Sequence, residues 1–156
     1  MSQATFTGEF VAGTKGPIFV LLRKPVTPPR GCVLVVPPFA EEMNKCRRMT
    51  TEVALGLEAR GIATVLPDLY GTGDSGGEFA EADWVTWQAD LATVARWCAD
   101  RGLAITAVLA VRLGCALAIS VASDPGLRRV IRSVFWQPVL DGGRFLGQFL
   151  RLRTAA

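Results

Sequence analysis

The sequence predicts an α/β fold, a mostly parallel central sheet with helices on both faces, formed as a single domain over residues 1–156. Three observations predict it. After an opening hairpin, short continuous apolar runs bounded by Gly or Pro alternate three times with stretches of helical periodicity. Half of the 156 residues are apolar, a fifth are charged, and mean hydropathy is +0.31, which excludes a disordered or fibrous chain. A chain of this length also buries enough surface to fold without disulfide or metal staples. No internal repeat, low-complexity tract or linker divides it.

Each element follows from local chemistry. Residues 5–12 and 17–23 are β-rich runs separated by Gly13 and Gly16, an antiparallel hairpin that Pro25, Pro28 and Pro29 terminate. Residues 32–36 form a continuous apolar run between Gly31 and Pro37, the pattern of a parallel strand buried on both faces. From Asn44, Cys46, Met49, Val53 and Leu57 recur at helical spacing as far as Arg60, and Gly61 caps the end. Residues 62–66 are a second buried strand, followed by a turn-rich segment over 67–77. Asp83 can cap a helix whose inner face carries Trp84, Trp87, Leu91, Val94, Ala95 and Cys98. A third strand over 104–109 passes almost without a loop into an apolar helix over 113–123. A fourth strand over 130–136 precedes Pro138, Gly142 and Gly143, and an amphipathic segment opens at Phe145 and runs to Leu152.

Composition also excludes several functions. A net charge of +3 is too small to imply a nucleic-acid partner. The four cysteines lie far apart without a C-x-x-C pair, and the sequence contains no histidine, so neither a zinc site nor a disulfide framework is expected. No cofactor or metal is predicted. Residues 1–9 lack a basic segment followed by an apolar one, which predicts a cytoplasmic protein. Residues 103–122 are long and apolar enough to span a bilayer, but an arginine at the centre, Arg112, costs about 2.5 to 3.5 kcal/mol there. A buried strand and helix joined at Arg112 and Gly114 explains the same run.

Ligands of parallel sheets bind at the carboxyl ends of strands. That singles out residues 37–42, 67–77, 110–114 and 137–143. Gly73-Asp-Ser-Gly-Gly77 spells a chymotrypsin-like nucleophile motif, but a Ser75 hydroxyl needs a base and no histidine exists to supply one. Gly71-x-Gly73-x-x-Gly76 matches the dinucleotide fingerprint only in letters, since neither its strand nor its helix adjoins it. Asp68 and Asp74 are a candidate carboxylate pair, although turn formation is the usual role of such aspartates. Arg112 stands between apolar elements and needs an anionic partner: a substrate group, or a structural carboxylate such as Asp68, Asp74 or Glu41. Cys115, one turn beyond Arg112 and without a base to activate it, reads as a core thiol, not a nucleophile. Tryptophans 84, 87, 97 and 136 read as core and pocket lining.

The order of elements and these loops resembles the α/β-hydrolase superfamily. Asp68-Leu-Tyr-Gly71-Thr-Gly73-Asp74-Ser75 is similar to its loop after the fourth strand, and Ala110-Val-Arg112-Leu-Gly114 falls at its nucleophile elbow. Pro38-Phe39-Ala40 matches its oxyanion loop. More closely, Pro38-Phe-Ala-Glu-Glu-Met-Asn-Lys45 with Arg47-Arg-Met49, Trp136-Gln-Pro-Val-Leu140 and Gln148-Phe-Leu-Arg-Leu-Arg153 resemble the type-two hydrolase associated with exosortase A systems of bacterial exopolysaccharide gene clusters. The resemblance implies an ester or acyl hydrolase acting on a small-molecule ester, acyl or anionic substrate. It implies an oxyanion hole of backbone N–H groups at Phe39 or Ala40 and Leu113, and a pocket reached by Arg112, Asp68, Asp74, Ser75 and Asp141. Two departures stand out: Ala110 replaces the first elbow glycine, and Arg112 replaces the Ser, Cys or Asp nucleophile. The resemblance further implies that the chain stops inside a cap helix, leaving an incomplete catalytic triad and an open sheet edge suited to self-association. The other function compatible with these residues is a non-catalytic anion-binding or assembly module.

Overall fold

A computed structural model describes residues 5–154, and the side chains of residues 6–151. Six strands form one sheet: β1 (Thr5–Ala12), β2 (Pro17–Lys24), β3 (Cys32–Val36), β4 (Ala63–Pro67), β5 (Ile105–Val111) and β6 (Arg132–Trp136), in the spatial order β1-β2-β4-β3-β5-β6. The hairpin β1–β2 and the β2–β4 pair are antiparallel, and all pairs from β4 to β6 are parallel. Four helices cover it: α1 (Glu41–Glu58), α2 (Trp84–Asp100), α3 (Gly114–Ser120) and α4 (Gly142–Thr154). This is the mostly parallel α/β architecture that the alternation predicts. Among the described residues no helix is long and apolar enough to cross a membrane.

The two faces of the sheet are unequally filled. On the α2 and α3 face, Val20, Leu34, Val36 and Val65 meet Leu91, Val94, Cys98 and Leu117 in a large continuous core. Beneath α1 the core is smaller, with Val33, Val35 and Leu109 packed against Val53 and Leu57. Strand order reverses at β3, whose chain successors lie on opposite sides of it. The crevice at such a switch point, here between the carboxyl ends of β3 and β5, is where open α/β sheets bind ligands.

Several boundaries differ from the sequence reading. Helix α1 begins at Glu41, not Asn44, because two acidic residues in the first turn suit the positive helix end without any apolar period to announce them. Its buried positions are Met43, Thr50 and Ala54. Thr50 is tolerated there because its hydroxyl donates to the carbonyls of Cys46 and Arg47 at 3.1 and 2.9 Å. Strand β5 runs two residues further than predicted, to Val111, and α3 is confined to Gly114–Ser120. The turn between them is only Arg112 and Leu113. Helix α4 starts at Gly142, earlier than Phe145, with Asp141 Oδ1 accepting from the Arg144 N–H at 2.9 Å. The assignment of Asp83 as a cap holds, its carboxylate accepting from the Thr86 N–H at 2.7 Å.

Candidate functional site

The site is built from two strand-to-helix turns at the switch point. At the end of β5, Arg112 adopts φ of +54°, a conformation that costs a non-glycine residue free energy and clusters at functional sites. It is held there by its backbone: the Arg112 N–H donates to Trp136 O at 3.0 Å, and its carbonyl accepts from Cys115 and Val139. Two residues on, Gly114 packs directly against the β3 loop. A Cβ there would collide with the carbonyls of Pro37 and Val36, the latter at 2.8 Å, so only glycine lets the two turns meet. At the end of β3, Ala40 is also left-handed, with φ of +50°. Among the described residues the third such non-glycine is Gln137, at the end of β6. All three strained residues thus follow the carboxyl ends of the adjacent strands β3, β5 and β6.

These turns enclose a narrow, apolar pocket of about 20 Å³, lined by Phe39, Ala40, Trp84, Trp87, Leu113 and Gly114, among others. It holds one water-sized group. A wider cleft of about 270 Å³ adjoins it through Ala40 and Thr72 and reaches Phe79 and Phe149. Phe39 is the hub of the roof, making edge contacts with Phe79, Trp87, Phe145 and Phe149 at centroid distances of 5.2 to 6.0 Å. Helix α4 is docked over the site through two of these rings. Among the described residues, the N–H groups of Phe39, Ala40 and Leu113 donate to no backbone carbonyl.

Arg112 is the charged group at this point. Its Nε donates to Glu42 Oε1 at 3.3 Å, and its guanidinium lies 5.5 Å from the Phe145 ring centroid. Its sequence-predicted partners Asp68, Asp74 and Glu41 are replaced by Glu42, which the early start of α1 turns toward the elbow. Both side chains remain about a third exposed, at 34% and 30%, so the pair is reachable from solvent. Glu42 Oε2 is buried without a hydrogen-bond partner among the described residues. Because the ion pair with Glu42 uses Nε, the two Nη groups can still fork onto a ligand oxygen pair.

The loop over 68–77, by contrast, is occupied with itself. Asp68 accepts from Arg47 Nη2 at 3.1 Å and from the Asp74 N–H at 3.0 Å. Ser75 Oγ donates to the Asp68 carbonyl and accepts from the Phe19 N–H at 2.8 Å. Both lone functions of that hydroxyl are therefore spent on tying the loop to β2. Asp90, buried on α2, accepts from the Tyr70 N–H at 2.8 Å, and burial raises its carboxyl above the usual range. Trp87 Nε1 donates to the Tyr70 carbonyl at 3.0 Å, completing the anchorage. Asp74 is exposed, and Asp141 caps α4. Cys115 is buried, its thiol directed to the Ala110 carbonyl at 3.2 Å and raised by burial, which suits a core thiol.

The structure therefore brings Phe39, Ala40, Arg112 and Leu113 together and places Asp68, Ser75 and Asp141 in bracing or capping roles. Trp84 and Trp87 line the pocket, but Trp136, read from sequence as core or lining, is exposed on β6. Glu42 as the partner of Arg112, Asp90 and the Phe39-centred ring cluster escaped the sequence reading. The ring cluster had no signal, because its members are scattered over four elements. Glu42 had one, as an acidic residue directly after a strand end.

No protein-family model matches the chain, and no curated protein matches it. Solved structures do. An α/β serine hydrolase homologue from Coxiella burnetii aligns with a TM-score of 0.68 and 21% identity over 83% of this chain and 61% of its own. An α/β serine hydrolase without lid from Xanthomonas campestris gives 0.63 and 23% over 76% and 56%, respectively. The α/β hydrolase GrgF from Penicillium sp. sh18 gives 0.71 and 17% over 97% and 53%. The chain spans between about half and three fifths of the length of these structures. It has the α/β-hydrolase fold, with Arg112 at the turn between β5 and α3.

Proposed function

We propose that this is an α/β-hydrolase-type ester or acyl site of the kind associated with exosortase A systems in exopolysaccharide gene clusters, and that these residues use it to hold an anionic or acyl group, not to cleave it. One observation carries the reading. The strained elbow, where the superfamily aims its nucleophile, aims an arginine. In this reading the N–H groups of Ala40 and Leu113 donate to an oxyanion or carboxylate oxygen, and Arg112 neutralises its charge. Thr72 is the one hydroxyl lining the narrow pocket, and it donates to the Leu69 carbonyl at 2.6 Å. With no histidine in the sequence, the usual base that would activate it is missing.

Hydrolysis of p-nitrophenyl butyrate tests this directly. The expected result is turnover no faster than buffer with the same protein after Arg112→Ala. Robust turnover that Arg112→Ala abolishes would make the arginine part of a working hydrolase and overturn the reading. The family resemblance carries the exosortase association, and the gene neighbourhood checks it: an adjacent polysaccharide-export cluster is expected, and its absence would remove that part of the proposal.

A further inference from the structure

Spacing pairs none of the four cysteines in the sequence, but the fold brings two of them together at the amino ends of the strands. Side chains alternate along β3, so Cys32, Leu34 and Val36 enter the large core while Val33 and Val35 lie beneath α1. On α2, Leu91, Val94, Ala95 and Cys98 form one buried stripe turned to that same core. Trp84 and Trp87, at the start of α2, line the narrow pocket beyond the carboxyl end of β3. The last turn of this helix, with Cys98, therefore lies at the opposite end of the sheet, where Cys32 opens β3.

One dipeptide holds both cysteine backbones. The Leu103 N–H donates to Cys98 O at 2.9 Å, and the Cys32 N–H donates to Ala104 O at 3.1 Å. The two side chains are hydrogen-bonded to each other, and both residues are 0% exposed. That contact, together with burial, raises the Cys32 thiol above its usual range and holds it neutral. The other two cysteines are placed elsewhere. Cys46 is half-buried on α1, across the sheet, and the Cys115 thiol serves the Ala110 carbonyl near the carboxyl end of β5.

We propose that Cys32 and Cys98 are a redox pair that closes a disulfide between β3 and α2 by exchange with a small-molecule disulfide such as oxidised glutathione. One thiol loses its proton and attacks the glutathione disulfide, expelling a glutathione thiolate. The second thiol, deprotonated in turn, attacks the first cysteine's sulfur and expels the other glutathione thiolate. The two protons go to the two glutathione thiolates, so one protein dithiol is oxidised and one glutathione disulfide is reduced. The bond ties together, at one end, the two elements whose other ends wall the pocket. It also closes a long loop, the case in which a cross-link restricts the unfolded chain most. The pair stands apart from the elbow and does not depend on what Arg112 binds.

Equilibration of the full chain in glutathione redox buffers tests this, with free thiols and linked peptides read by mass spectrometry after acid quenching and alkylation. Equilibrium is approached from the reduced and from the oxidised chain, so that slow exchange in the core does not decide the outcome. The expected result is a Cys32–Cys98 disulfide that forms about tenfold more favourably in the folded chain than in urea above the unfolding transition. The oxidised chain should then unfold at a higher urea midpoint than the reduced one, with Cys46 and Cys115 still alkylated. Cys46→Ser, which removes the half-buried thiol, should leave the equilibrium unchanged. A disulfide no more favourable in the folded chain than in urea, disulfides scattered among the four cysteines of the folded chain, or loss of the linked peptide in Cys46→Ser would overturn the proposal.

Discussion

Two turns at the carboxyl ends of the strands on either side of β3, the loop over 68–77 after β4 and the elbow at Arg112 after β5, carry opposite kinds of chemistry. The loop has the letters of catalysis, Asp, Gly, Asp and Ser, yet nearly every polar group in it is satisfied inside the protein. The elbow has an unpromising sequence, Ala-Val-Arg-Leu-Gly, yet it holds a strained backbone, the Leu113 N–H that donates to no backbone carbonyl among the described residues, and a partly solvated charge. Satisfied hydrogen bonds make a brace, whereas unspent donors at a strained turn make a site.

Substitutions should separate brace from site, and the largest effect is expected where the two strand ends touch. Gly114→Ala drives a methyl group into the Pro37 and Val36 carbonyls, which are backbone and cannot yield. A loss of about 3 kcal/mol in denaturant unfolding is expected. Asp68→Ala removes the acceptor of Arg47 and of the Asp74 N–H. Because Arg47 is itself 41% exposed, the loss is expected at about 2 kcal/mol, below that of a fully buried pair. Ser75→Ala strands the Phe19 N–H and should cost about 1 to 2 kcal/mol. If Ser75 were a nucleophile, the same change would abolish esterase activity and leave stability intact.

The buried Asp90 gives a pH test of the brace. Its folded-state carboxyl titrates above the unfolded value, so between those values the folded protein binds more protons. Stability therefore falls as pH rises through that window, and the penalty is complete above the folded value. Asp90→Asn keeps an acceptor for the Tyr70 N–H and removes the slope. Its stability relative to wild type should rise with pH in parallel urea titrations, and a constant difference would mean that the carboxyl is not perturbed. The smallest stability effect is expected at the site itself. Arg112→Ala removes a partly exposed ion pair and should change unfolding by about 0.5 kcal/mol or less.

Most of the fold was legible in the sequence because its signals are local. Apolar runs flanked by Gly or Pro placed β3 and β4 within a residue, and Asp83 marked the start of α2. The start of α1 was legible only in part: Glu41 and Glu42 mark a charged entry that the helix dipole favours, but they bury little and the apolar period begins after them. The elbow was found through position: Arg112 between two buried elements is unusual whatever the family. Its partner was not, because choosing Glu42 over Glu41 depends on one turn of helix that the sequence placed too late. The role of Ser75 was half legible. The missing histidine ruled out its activation, but only the three-dimensional path of β2 shows that its hydroxyl serves the Phe19 amide.

The measurement that bears most directly on the site is isothermal titration of sodium butyrate into wild type and Arg112→Ala at constant ionic strength, with butyramide as the neutral control. Saturable heat with butyrate on the wild type, and none with butyramide or with Arg112→Ala, is the predicted result. Equal binding of butyrate by both proteins, or none by either, would show that the elbow arginine serves Glu42 alone and would contradict the account.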